Sequence, residues 1–187
     1  MVPQADRGWR AAASDADRRR IRDWREAFIE ARETALRSGH VDEVAREGAL
    51  LEPDAALGGA PIPDGEYRCR VVKVGAKSEG LLNFVSYPAF RCRIAMQGEV
   101  QSFTKLTGSQ RHVGIIFPDD AMRQVFLGTL VLGDEPAALP YGQDATRDVA
   151  GLIERIGPAR WRLVLPRPHF ESKLDVVELQ PIMAGAN

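Results

Sequence analysis

The chain has 187 residues with a net charge of −1, and 44% of its residues are hydrophobic. This length suffices for one domain with a substantial core. The near-neutral charge favours neither nucleic acid nor an anionic membrane as partner. No apolar run reaches the roughly 20 residues that span a bilayer, and two cysteines are too few for a zinc ribbon or a disulfide-rich scaffold.

The N-terminal region, residues 1–52, predicts a helical hairpin. Between residues 14 and 38, one apolar stripe recurs at three- and four-residue spacing; it consists of Ile21, Trp24, Phe28, Ala31 and Ala35. Ser14 fits the N-cap of this helix, and Ser38-Gly39 fits its end. A shorter helix is expected over 41–51. The apolar faces of the two helices need a larger body on which to pack.

Residues 53–64 are rich in Pro, Gly and Ala, which is typical of a linker on the surface. After them, short alternating or continuous apolar stretches separated by turn residues indicate strands. The predicted strands are 66–74, 82–87, 89–97, 99–106, 111–117, 123–132, 148–156, 160–166 and 173–180. So many sequential strands with short connections indicate an antiparallel meander, which must close or fold over to protect its edges.

We therefore predict an α+β protein in which the helical hairpin packs on an antiparallel β-barrel over residues 65–187. The barrel is expected to be closed, to have about eight strands, and to be lipocalin-like in broad architecture. A β-sandwich is the alternative. The helical region, the linker and the barrel are expected to form one structural unit.

The two cysteines lie in matched contexts, YRCRV over 67–71 and FRCRI over 90–94. Because side chains alternate faces along a strand, Cys69 and Cys92 should both point to the apolar side. If the two strands are neighbours, the sulfurs come within bonding distance, and the matched contexts favour a disulfide. A disulfide contributes ~3 kcal/mol in the chain-entropy model and indicates an oxidising compartment. Two unlinked, buried thiols are the alternative.

Alternation also places four arginines on the outer face of these strands: Arg68, Arg70, Arg91 and Arg93. Charged faces usually pair within the protein or stay hydrated. We expect acids of the helical hairpin to cover these arginines, namely Asp23, Glu26, Glu30 and Glu33. An anionic ligand or partner surface is the alternative.

The position of Glu154 depends on the length of the turn around Gly157-Pro158-Ala159. A three-residue loop sets Glu154 opposite Arg162 on the outer face. A two-residue loop points Glu154 inward beside Trp161, where an unpaired carboxylate is costly. The outer ion pair is favoured because unpaired buried acids are rare, whereas an inward Glu154 would be the strongest single site candidate.

Two loops collect polar side chains that suit a ligand or a partner. The loop 105–112 could hold a carboxylate or phosphate through side chains and backbone N–H groups; its candidates are Lys105, Ser109, Arg111 and His112. The loop 133–147 is long enough for a lid or binding loop, with candidates Tyr141, Asp144 and Arg147. Ordinary turn chemistry and internal salt bridges are the alternatives.

The sequence favours a protein without catalytic chemistry. Its three histidines, His40, His112 and His169, lie far apart and match no metal-ligand spacing. It has no P-loop, dinucleotide fingerprint or convergent acid, base and nucleophile. No cofactor or metal is therefore expected. Aromatic residues of the arginine-rich strands alternate to the face opposite the arginines, which argues against nucleic-acid binding.

The chain contains the segments DRRRIRDWREAF, YRCRVVKVG, TKLTGSQRHVG and YGQDATRDVAGLIERIGPARWRLVLP. These resemble the signature blocks of an uncharacterised bacterial family, domain of unknown function 4893, and the resemblance extends from about Asp17 to Pro181. Members of that family typically carry an export signal, so the resemblance implies a mature periplasmic or secreted protein. It implies no activity and no site residues.

Two functions are consistent with these observations. The first is an exported, non-enzymatic barrel that binds a small molecule or lipid at one mouth. The second is a periplasmic protein-binding or inhibitor module whose loops 105–112 and 133–147 contact an envelope protein. The barrel interior distinguishes them, because a fully packed interior leaves no room for a ligand.

Overall fold

The computed structural model describes residues 8–183. Within this range, nine strands form one antiparallel sheet: β1 (Gly65–Ala76), β2 (Phe84–Ser86), β3 (Phe90–Gln97), β4 (Val100–Lys105), β5 (Gln110–Pro118), β6 (Arg123–Leu132), β7 (Asp148–Gly157), β8 (Arg160–Pro166) and β9 (Ser172–Pro181). Strands β3 to β9 pair in sequence, and β1 pairs with both β3 and β9. These eight strands therefore close a barrel, which confirms the predicted architecture and excludes the sandwich.

The additional strand, β2, lies in line with β3 along the same edge of β1. Val72 of β1 pairs with Ser86 of β2, and Cys69 pairs with Phe90 of β3. The residues between β2 and β3 include Pro88, which has no N–H for a ladder hydrogen bond. The ladder along this edge of β1 is thus irregular between β2 and β3, although the Tyr87 N–H still donates to the Val71 carbonyl oxygen at 3.0 Å.

The helices lie outside the barrel. In residues 8–183 they are α1 (Gly8–Ala12), α2 (Asp15–Arg22), α3 (Trp24–Arg37) and α4 (Val41–Glu47), followed by a 3-10 turn at Gly48–Leu51. The predicted hairpin was wrong in detail, because its first helix is broken at Asp23 and α1 precedes it. The break lets α2 pack against β7 and α3 against β1 and β9, so the helices follow the curved wall. None of the described helices is long and apolar enough to span a membrane.

The sequence signals that predicted the helical face correspond to real contacts. The Ser14 hydroxyl accepts a hydrogen bond from the Asp17 backbone N–H at 3.1 Å, as expected of an N-cap. Phe28 and Ala31 are fully buried against Val72 and Val176 on the outside of the barrel. The helical region and the barrel therefore share a hydrophobic core.

One end of the barrel is plugged by the segment that was expected to be a surface linker. Ile62 is 1% exposed and packs among the residues of the barrel interior. Its backbone N–H donates to Gln124 Oε1 at 2.8 Å, and Gln101 Nε2 donates to its carbonyl oxygen at 2.7 Å. These bonds satisfy buried polar groups that an apolar plug would leave unpaired. The surface prediction was therefore wrong for Ile62.

The disulfide prediction is confirmed. Cys69 and Cys92 form a disulfide across β1 and β3, with a Cα–Cα distance of 6.2 Å. Both residues are fully buried among the apolar side chains of the barrel interior.

The outward arginines pair with acids other than those predicted on the first helix. Arg70 forms a two-pronged pair with Glu47 of α4 and also contacts Glu178 of β9. Glu66 contacts Arg91 and lies 2.9 Å from Arg93. Pairing within the protein is thus correct for these three arginines, but Asp23, Glu26, Glu30 and Glu33 do not provide it. The partners lie on neighbouring strands and on α4, which pack closer to the arginine heads.

Candidate functional site

The barrel is not packed to its second end. A cavity of about 390 Å³ lies at the mouth, which we define as the end where β1 and β8 finish and where β3 and β5 begin. Val71 lies at the boundary between this cavity and the packed interior. Tyr87, Pro88 and Phe90, at the irregular stretch between β2 and β3, form part of its lining. The irregular stretch of the ladder therefore coincides with the unfilled space.

On one side of the cavity, a lysine is neutralised by acids. Lys73 Nζ lies 3.0 Å from Asp175 Oδ2 and 3.7 Å from Glu171 Oε2. Ser172 donates a hydrogen bond from its hydroxyl to Asp175 Oδ1. Burial raises the pKa of Asp175, while Lys73 and Ser172 oppose that rise. The charged side chains on this side of the cavity are therefore already paired with one another.

On the other side, Lys105 forms no ion pair with an acid among residues 8–183. Its Nζ lies 4.1 Å from the centroid of the Phe90 ring, a cation–π contact. Burial lowers the pKa of Lys105, and repulsion from Lys73 and Arg111 lowers it further. A Cβ at position 108 would lie 3.3 Å from the Lys105 Nζ, so Gly108 allows the backbone to approach the amine closely.

His112 lines the same cavity next to Lys105. It is 6% exposed, and within residues 8–183 its Nδ1 atom is buried without a hydrogen-bond partner. Burial lowers its pKa to about 3, with Lys105 and Lys73 acting in the same direction, so the imidazole is neutral near pH 7. An unsatisfied buried polar atom typically costs about 1–3 kcal/mol and requires an explanation. A bound ligand would provide one.

Of the loop candidates from the sequence, Lys105, Ser109 and His112 line the cavity. Arg111 alternates to the outer face, as a strand residue next to an inward His112 must. Its guanidinium donates to the carbonyl oxygens of Gly108, Gly133 and Glu135 at 3.1–3.2 Å. Arg111 thus joins the loops 105–112 and 133–147 but is not in the cavity.

The candidates from the loop 133–147 hold the loop in place. Tyr141 donates its hydroxyl to Asp17 of α2, and Arg147 pairs with Glu135 at 2.9 Å. Asp144 accepts hydrogen bonds from the backbone N–H and hydroxyl of Thr146. These contacts lie away from the residues that line the mouth cavity.

Glu154 faces Arg162 across β7 and β8 on the outer face, which confirms the predicted ion pair and excludes the inward alternative. The helical region covers the pair, so Glu154 is 1% exposed and Arg162 is 0% exposed. Glu154 Oε2 lies 2.7 Å from Arg162 Nη2, and Glu154 Oε1 accepts from Arg123 Nε at 3.1 Å. The pair anchors the helices and is not part of the cavity.

A wider concavity of about 600 Å³ lies between α1, α2 and the start of β6. Four of the five arginines that line it pair with acids: Arg10 with Asp119, Arg18 with Asp15, Arg22 with Asp23 and Arg123 with Glu154. The mouth cavity, which has an unpartnered imidazole, is therefore the stronger candidate site.

The family model described as Domain of unknown function (DUF4893) matches residues 9–179. The chain belongs to this family. No curated protein and no solved structure matches the chain. The DUF4893 match includes the cavity residues and both cysteines, and its description names no activity, so the functional argument depends on the geometry of the mouth.

Sequence analysis of this DUF4893 chain missed Lys73 and Asp175. The signal was present, because Lys73 follows Tyr67, Cys69 and Val71 at two-residue spacing and therefore shares their inward face. Asp175 pairs directly with Lys73 across β1 and β9. Extending the alternation from the thiols by one more position would have identified an inward lysine.

We expect His112 to make this DUF4893 protein less stable in mild acid. The unfolded chain has a histidine pKa of about 6.5, whereas burial lowers the folded pKa to about 3. Below pH 6.5 only the unfolded state gains the proton, so the free energy of unfolding falls as the pH falls, by up to ~1.4 kcal/mol per pH unit. From pH 7.5 to 5, wild type should lose about 2 kcal/mol more than His112→Gln in urea unfolding.

Other groups at the mouth act in both proteins and cancel in this comparison. Burial lowers the pKa of His169, which reduces stability in acid as His112 does. Burial raises the pKa of Asp175, which increases stability in acid. Equal pH dependence in wild type and His112→Gln would show that His112 is not held in its neutral form.

Proposed function

We propose that this protein binds a small molecule in the mouth cavity and acts without catalysis, in the manner of lipocalin-like barrels that take a ligand at one end. The observation that most strongly supports this proposal is a cavity at the mouth of a barrel whose interior is otherwise packed. Its volume of about 390 Å³ falls within the range of about 300–1,000 Å³ typical of ligand sites.

The composition of the cavity supports this proposal. Val71, Tyr87 and Phe90 provide apolar and aromatic surface, while Lys105 and His112 provide polar groups that can orient a ligand. Ligand sites typically combine a predominantly apolar lining with a few convergent polar groups.

We place the protein in the periplasm or outside the cell. The Cys69–Cys92 disulfide supports this proposal, because disulfides persist mainly in oxidising compartments.

A second candidate is the protein-binding module, acting through the mouth loops. The observation that favours it is a group of exposed large apolar side chains at the same end of the barrel: Leu139 lies on the loop 133–147, Leu81 and Leu82 lie between β1 and β2, and Phe170 lies between β8 and β9. Leu82 is 70% exposed, and exposed apolar groups of this kind occur at interaction sites. The candidate envelope partner would bind across the loops 105–112 and 133–147.

Native mass spectrometry of protein isolated without detergent from the cells that produce it tests the proposed function. Wild type should carry a non-covalent small-molecule adduct. Val71→Trp, which places an indole at the cavity boundary, should lose at least nine-tenths of that adduct. Val41→Trp is the matched control, because Val41 is 54% exposed on α4, and it should keep the adduct.

Thermal unfolding establishes that each variant is folded, and Ala89→Trp on the exposed rim of the same cavity replaces Val71→Trp if that variant does not fold. A wild-type protein without an adduct, or an adduct retained in a folded cavity variant, would contradict the proposal. A stoichiometric protein partner in place of the small adduct would favour the module.

A further inference from the structure

We propose that the ligand of the mouth cavity is a small amphiphilic anion, whose carboxylate or phosphate group is held by Lys105 and His112. This inference rests on the proposed function and deepens it by naming the ligand class. It follows from the arrangement of polar groups in the cavity: hydrogen-bond donors without an acidic partner lie around Lys105, and the acids lie around Lys73.

The corner around Lys105 offers hydrogen-bond donors to an anion. Lys105 contributes an ammonium group, which has donors and no acceptor. The neutral imidazole of His112 presents an N–H on one ring nitrogen. The hydroxyls of Thr107 and Ser109 line the same cavity. Charge-assisted hydrogen bonds from such groups to a carboxylate or phosphate are among the strong ones.

The acids of the cavity are already engaged. Asp175 and Glu171 pair with Lys73, and Asp175 also accepts from Ser172. A cationic ligand would have to compete with Lys73 for these carboxylates and would be repelled by Lys105. Within residues 8–183, the charged groups that shift the pKa of Lys105 are the cations Lys73 and Arg111. An anionic ligand would instead supply a negatively charged partner for Lys105.

The rest of the lining defines the remainder of the ligand. Val71, Tyr87, Pro88 and the Phe90 ring present apolar surface beside the Lys105 amine. An apolar body attached to the anionic group would therefore lie between the irregular β2–β3 edge and Val71. The volume of about 390 Å³ favours a short chain or a single ring system.

Isothermal titration calorimetry with three probes of equal chain length tests the inference: sodium octanoate, octyl phosphate and 1-octanol. Wild type should bind at least one of the two anions at least tenfold more tightly than octanol. The preferred anion distinguishes a carboxylate from a phosphate ligand. Lys105→Met should weaken binding of that anion at least tenfold and leave octanol binding unchanged. Lys77→Met, on the loop after β1 and outside the cavity lining, should retain the preference.

Equal affinity for octanol and both anions would overturn the anion assignment and leave the proposed binding function intact. Anion binding that survives Lys105→Met would overturn it as well. If none of the probes binds while the native protein carries a small adduct, the anion inference fails and the binding function stands. If neither probes nor adduct are found, both fail.

Discussion

Arg162→Met is expected to lower the free energy of unfolding by roughly 3–5 kcal/mol, the range found when one partner of a buried ion pair is removed. Arg162 is 0% exposed and is paired with Glu154 beneath the helical region. Without the guanidinium, Arg123 is the one ion-pair partner that Glu154 keeps in the described part of the chain. The penalty is dominated by a buried carboxylate that has lost its closest countercharge.

The same guanidinium also satisfies the backbone of the segment that follows α4. Its Nη1 donates to the carbonyl oxygens of Ala49, Leu50 and Glu52, and its Nη2 donates to that of Pro53. The Arg162 Cζ lies 4.9 Å from the Phe28 ring of α3. One side chain thus ties β8 to two parts of the helical region, and Arg162→Lys should not rescue it because an ammonium cannot replace the planar fork.

Equilibrium urea unfolding, followed by far-UV circular dichroism, measures this loss. Arg22→Met is the matched control, since the Arg22 side chain is 68% exposed and pairs with Asp23 at the surface; it should cost far less than Arg162→Met, because surface ion pairs contribute little. The double variant Glu154→Leu with Arg162→Met should be more stable than Arg162→Met alone. Equal, small losses for Arg162→Met and Arg22→Met would show that the buried pair does not anchor the helices.

Loss of the disulfide is expected to lower the free energy of unfolding by about 3 kcal/mol, mainly by enlarging the unfolded ensemble. Cys69 and Cys92 are separated by 23 residues in sequence, so the bridge closes a loop of moderate length. Both residues are fully buried. Reductant should therefore attack the native protein only when it opens.

Two forms of the protein distinguish the stability contributed by the covalent bond from the stability contributed by packing of the sulfur atoms. Wild type that is reduced in denaturant and refolded keeps both sulfur atoms, whereas Cys69→Ala with Cys92→Ala removes them. Guanidinium unfolding should show a loss of similar size in both forms. A reduced wild type as stable as the oxidised protein would mean that the sulfurs stabilise the barrel only as packing groups.

Much of the barrel could be predicted because side chains alternate between the two faces of a strand, a pattern that is visible in a short stretch of sequence. Each of the nine strands begins and ends within two residues of its predicted bounds. The alternation that turned Cys69 and Cys92 inward also gave the correct outer face for Arg162. The turn around Pro158 left the register open, and the rarity of unpaired buried acids favoured the pairing of Glu154 with Arg162 that the ladder confirms. Each of these signals depends on neighbours along one or two strands.

The features that were missed depend on distant parts of the chain. The break at Asp23 follows the curvature of a barrel wall that no helical pattern encodes. Ile62 lies in a Pro- and Gly-rich segment that looks like a linker until the open end of the barrel is known. The cavity requires the mouth loops and the irregular β2–β3 edge to meet. Of the candidate residues predicted on the loops, Lys105, Ser109 and His112 line it.

A crystal structure of the protein isolated from its own cells, without detergent or added ligand, tests ligand binding in the mouth cavity most directly. We predict connected electron density in the mouth cavity, with one end against Lys105 and His112 and the other against Val71 and Phe90. A mouth that holds only ordered water, or that is closed by the segment from Tyr87 to Phe90, would contradict it.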